Sequence, residues 1–193
     1  MFKRTQITFG LLLIALASTF VTFAGTSLQE EVSRQVRINP SFQDFKEIKI
    51  VDWDSNELYR GINYNRPLVY QKPFAELIYK EDRNVVIMSK RFNSFLVRRG
   101  LSHEHGHFTW ENVLNYSQKR KWEQLVADYG LSPSRYGLGI GMATWEQQVQ
   151  ENFCEWWSLL KFHAEEQMFS GAEDMLKDTP QGRYIKLLIR MTK

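Results

Sequence analysis

The sequence predicts an α+β fold in a single domain, on three observations. Strand-like segments rich in β-branched residues are confined to the first half of the chain. From Lys90 onward the apolar residues recur at helical spacing. No helix-period pattern separates the strand candidates from one another, so the sheet is expected to be small and mostly antiparallel or mixed. A chain of 193 residues has room for one well-packed domain. Charged residues at 24% and hydrophobic ones at 43% exclude both wholesale disorder and a multi-span membrane protein.

The chain opens with Lys3 and Arg4, followed by an apolar, small-residue-rich run from Ile7 to about Gly25. That order is the one found in secretory signals. Residues 1–25 are therefore expected to be a signal peptide, with an uncleaved N-terminal membrane anchor through residues 7–25 as the rival. Either reading puts the remainder outside the cytoplasm, secreted or periplasmic in the first case and tethered in the second. No cysteine stands at the end of the run, so a lipoprotein anchor is excluded. Residues 26–44 read as a polar linker with a short helix over Leu28–Val36, capped by Ser27 with Glu30 completing a capping box. The domain proper is expected over 45–193.

Strands are expected at Glu47–Trp53, Pro67–Tyr70, Ala75–Tyr79 and Asn84–Ser89, the last being the clearest. Helices follow through Phe108, over about Glu111–Tyr129, and over about Thr144–Phe169, the last two separated by a glycine-rich loop, Gly130–Gly141. Thr179-Pro180 has the form of an N-cap with proline at N1 and opens a last helix to about Met191. A net charge of +3 with no basic run longer than three residues gives no nucleic-acid signal. The lone cysteine, Cys154, excludes a disulfide scaffold and a cysteine-only zinc site; it reads as a small core residue, as the Trp156-Trp157 pair reads as core.

Chemistry concentrates at Leu101-Ser102-His103-Glu104-His105-Gly106-His107. His103 and His107 stand four apart, on one helix face, where two imidazoles can share one Zn²⁺. Glu104 lies about 100° round the helix, placed to take a proton from a metal-bound water. Gly106 leaves room for another element to approach closely. His105 lies about 200° from His103 and reads as a packing or surface residue. His163, at the far end of the glutamate-bearing helix, reads as a surface residue. A catalytic zinc needs a third protein ligand. The downstream acids worth weighing are Glu111, Glu123, Asp128, Glu146, Glu151 and Glu155. Glu151 and Glu155 share a helix face beside the apolar stripe Val149, Phe153, Trp156 and Leu160, which would dock that helix on the core. One carboxylate can bind the metal and the other can accept from a ligating histidine. Glu146 is the substitute if the helix is rotated, and a solvated acidic face is the bland alternative.

His103-Glu104-His105-Gly106-His107, followed some forty residues on by Glu151-x-Phe153-x-Glu155-x-Trp157, resembles the gluzincin metallopeptidases. The likeness is greatest to the compact group around the anthrax lethal factor catalytic domain and the Pro-Pro endopeptidases. The resemblance implies a zincin-like fold, with an active-site helix, a glutamate-bearing helix and a C-terminal helix after the sheet. It implies zinc on His103, His107 and Glu151, Glu104 as general base, and Glu155 as the acid behind the ligands. It implies a peptide or protein substrate lying along an edge strand, matched here to Asn84–Ser89. Thr179-Pro180 through Tyr184-Ile185 resembles the Pro-x-x-x-Tyr start of the family's last helix. The family's oxyanion tyrosine, seven residues before the glutamate, is replaced by Thr144; Tyr136 is the nearest tyrosine upstream. The expected activity is that of an exported zinc endopeptidase. The rivals are a zinc amidase acting on cell-wall peptides, an inactive zinc-binding or adhesion module, and a membrane-anchored interaction protein without metal.

Overall fold

A computed structural model describes residues 27–58, 77–130, 144–162 and 178–192. Its order is α1 (Leu28–Ile38), β1 (Glu47–Val51), β2 (Leu77–Lys80), β3 (Val85–Ser89), α2 (Val97–Asn112), α3 (Tyr116–Tyr129), α4 (Trp145–Phe162) and α5 (Pro180–Met191). The α+β class is as expected: a three-stranded sheet, then helices.

The sheet departs from expectation in the place of one strand. Its order is β1-β3-β2, with β3 antiparallel to β2 but parallel to β1. The sheet is therefore mixed, the second of the two arrangements expected. The chain between β1 and β3 is long enough to cross over and return in the same direction, which a parallel pair requires. β3, matched above to an edge strand, is instead central. Every residue of it is buried. Val86 and Met88 enter the main core, while Val85 and Ile87 turn to the opposite face and pack with Val51, Leu58 and Ile78. The run Val85-Val86-Ile87-Met88 is apolar without alternation because both of its faces are covered. The β2–β3 turn places Asn84 at φ 53°, a left-handed conformation that asparagine tolerates.

The segment read as a linker is part of the packed body. Ser27 and Glu30 form the expected capping box, with Glu30 N donating to Ser27 Oγ at 3.2 Å and Ser27 N donating to Glu30 Oε2 at 2.9 Å. Leu28, Val32 and Val36 recur every four residues and face the core, and Phe42 and Phe45 follow them inside. Packing, not polarity, decides the assignment: an amphipathic helix needs only one narrow apolar stripe. Residues 1–26 lie outside the described residues, and none of the described helices is long and apolar enough to cross a membrane. The strand candidate Pro67–Tyr70, the glycine-rich loop from Leu131 on, and His163 also lie outside them.

Helix boundaries follow local chemistry. α3 begins later than expected because Asn115 caps it, accepting from Gln118 N at 3.0 Å. Thr144 caps α4, accepting from Gln147 N at 3.3 Å. Thr179 caps α5 with Pro180 behind it, as read from the sequence. Val149, Phe153, Trp156 and Leu160 are all buried, so the apolar stripe of α4 does dock it on the core. α4 packs along α2 and α5, and the Tyr184 hydroxyl donates to the Gln118 carbonyl at 3.1 Å, joining α5 to α3.

Candidate metal centre

The site is the crossing of α2 and α4. Gly106 makes that crossing close: a Cβ built on it would stand 2.6 Å from Cys154 Cα and 3.0 Å from Cys154 Sγ. The expected close approach at Gly106 is thus made by α4.

His103 is bracketed by two carboxylates one turn apart on α4. Its Nδ1 lies 2.7 Å from Glu155 Oε1, and its Nε2 lies 3.1 Å from Glu151 Oε2. His107 Nε2 lies 3.6 Å from Glu151 Oε1. One carboxylate therefore spans both imidazoles. Burial disfavours charge on His103, but hydrogen bonds to Glu151 and Glu155 and the charges of Glu155 and Glu104 outweigh it, and the imidazole is pushed up to about 10. Burial also disfavours the Glu151 carboxylate, yet the hydrogen bonds and charges of His103 and His107 hold it far below the usual carboxylate range.

The donor set fits zinc. Ligand atoms about 2.1 Å from a tetrahedral ion stand roughly 3.4 Å apart. Glu151 turns one oxygen to each histidine, Oε2 at 3.1 Å from His103 Nε2 and Oε1 at 3.6 Å from His107 Nε2, both near that separation. A second combination exists: donor atoms of His103, His107 and Cys154 lie within 4.8 Å of one another. Cys154 is wholly buried against Gly106, whereas Glu151 is 28% exposed and lines the cleft. A catalytic ion keeps one position open to solvent, which favours Glu151.

Glu104 is almost buried and turned toward β2, where its Oε2 accepts from Tyr79 N at 2.8 Å. A backbone amide thus fixes one oxygen of the carboxylate. A cleft between β2 and α4 holds about 440 Å³. β2 and its turn, Ile78 to Asp82, form one wall; Gln147, Gln150 and Glu151 of α4 form the other, and His107 lies between.

His105 proves to be a packing residue. It is 1% exposed and sits among Phe42, Phe45, Phe108, Phe162 and Trp157. Its Nδ1 accepts from the Trp157 indole N–H at 3.0 Å and its Nε2 lies 3.1 Å from Asp44 Oδ2. Burial, helped by Lys161, pushes the imidazole down to about 4, so it stays neutral and donates to Asp44.

The remaining acids are engaged elsewhere. Glu111 accepts from Gln150, Glu123 from Arg120 and Trp145, and Asp128 from Gln124. Glu146 is exposed in the first turn of α4. Tyr136 lies outside the described residues, and Thr144 is committed to capping α4. Two participants were not found from the sequence. Arg99 pairs with Glu155, and its position four before His103 on the same helix face was a usable signal. Tyr79 contributes through its backbone, which leaves no mark on residue type. Compared with known proteins, the chain matches no family model, no curated protein and no solved structure.

Proposed function

We propose that this protein is a zinc-dependent endopeptidase of gluzincin type, exported from the cytoplasm. The observation that carries the reading is the single carboxylate of Glu151 facing both His103 Nε2 and His107 Nε2, at the wall of a cleft, with Glu104 on the same helix. His103, His107 and Glu151 would hold the ion. Bound zinc supplies Lewis acidity toward a peptide carbonyl and makes water acidic enough to attack near neutral pH. Glu104 takes the proton of the attacking water and passes it to the leaving amine. Glu155 holds the ring of His103 through Nδ1, so that Nε2 faces the metal position. β2, not β3, is the strand beside the cleft and takes the role of aligning an extended substrate backbone. The first segment, residues 7–25, supports export or tethering with the domain outside the cytoplasm.

The purified chain, incubated with a peptide library, should cleave internal bonds. Chelator treatment should reduce cleavage at least about 100-fold, and stoichiometric zinc should restore it. Cleavage that survives full metal removal contradicts the zinc reading. A chain that binds zinc but cleaves neither peptides nor cell-wall amides favours the inactive module.

A further inference from the structure

Behind His103 the chain of polar contacts does not stop at Glu155. Glu155 is 3% exposed on α4, and a carboxylate so buried needs a charged or multiple hydrogen-bonding partner. Arg99, itself only 18% exposed, supplies one: its Nη2 donates to Glu155 Oε2, while Oε1 faces His103 Nδ1. Arg99 and His103 stand one turn apart on α2, so both reach the same carboxylate from one helix face. The two oxygens of Glu155 are thereby divided between a guanidinium and an imidazole.

We propose that Arg99 is a positioning residue for the metal centre, acting on His103 through Glu155; the inference rests on the zinc reading given above. A carboxylate on an α-helix has several rotamers within reach. The planar, rigid guanidinium restricts Glu155 to the one in which Oε1 meets Nδ1. That contact sets the plane of the His103 ring and turns its Nε2 toward Glu151 and His107. The contact through which Arg99 would act on metal binding is its ion pair with Glu155. The order Arg99, Glu155, His103, Glu151 crosses between α2 and α4 three times, so the same contacts hold the two helices in register.

The test is zinc affinity, measured by competition with a chromophoric chelator at one pH. The proteins are wild type, R99Q, R99K, E155Q and the double variant R99Q/E155Q, with thermal melting of each metal-free protein measured in parallel. R99Q should weaken zinc roughly 10-fold, within the range typical of groups that orient a ligand. R99K keeps the charge but not the fork, and should fall between R99Q and wild type. In the E155Q background R99Q should cost nothing further, because its route to the metal is already cut. Affinity in R99Q within twofold of wild type overturns the proposal. So does a double variant whose loss is the product of the two single losses. If R99Q fails to fold, R99K decides, and wild-type affinity there overturns the proposal. A wild-type chain that binds no zinc overturns the site reading and this inference together, whereas zinc binding indifferent to Arg99 overturns the inference alone.

Discussion

Glu104→Gln should keep its zinc and lose peptide hydrolysis by roughly 10³–10⁴-fold, the scale of a general base in a hydrolytic site. Glutamine preserves the shape of the side chain and an oxygen able to accept from Tyr79 N, so the β2 contact and the fold should survive. What it loses is proton affinity. The deficit should appear in kcat, with KM little changed, because Glu104 acts after the substrate is seated. Steady-state kinetics on a cleaved peptide, with zinc content measured on the same preparation, checks both halves. Activity within tenfold of wild type would remove Glu104 from the chemistry. Loss of zinc in the variant would instead make Glu104 a ligand and move the metal from the position assigned to it.

Gly106→Ala should be the most damaging substitution that leaves every proposed catalytic group in place. The added methyl would stand 2.6 Å from Cys154 Cα and 2.9 Å from its Cβ. A Cα cannot rotate away, so α2 and α4 must separate. Overpacking of this kind costs about 3 kcal/mol, or a fall of roughly 10 °C in Tm for a domain of this size. His103 and His107 are on α2 and Glu151 is on α4, so the separation should also weaken zinc. Adding Cys154→Gly removes the Cβ and Sγ contacts but not the one to Cα, and should restore only part of the stability. Thermal melts of the two variants decide this. A Gly106→Ala protein that melts within about 2 °C of wild type would show that the helices are not in the close contact described.

The parts of the fold that local chemistry decides could be read from residues alone. Four-residue spacing put His103 and His107 on one face, and the same spacing linked Glu151 to Glu155 beside a buried stripe. Ser27, Thr179 and Pro180 announced helix starts through the hydrogen bonds that caps make. Strand order was harder, because pairing is set by contacts far apart in sequence. The uninterrupted run Val85–Met88 nevertheless carried the mark of a strand covered on both faces, which an edge strand is not. The polar surface of α1 gives residues 26–44 the composition of a linker, because the stripe Leu28, Val32, Val36 supplies only one apolar residue per turn. Arg99 carries no signal as a ligand type, but a buried acid such as Glu155 implies a cation nearby, and Arg99 stands one turn before His103 on the same helix face. The proximity of Cys154 to the two histidines follows from the glycine opposite it, a relation between two helices that no single segment records.

The central claim is that His103, His107 and Glu151 hold one zinc. Metal analysis of the purified wild-type chain, with Glu151→Ala and Cys154→Ala purified alongside, tests it most directly. The account predicts about one zinc per chain in wild type and in Cys154→Ala, and loss of most of it in Glu151→Ala. A wild-type chain without zinc would contradict it. So would zinc retained in Glu151→Ala and lost in Cys154→Ala, which would place the ion between the two histidines and the thiol instead.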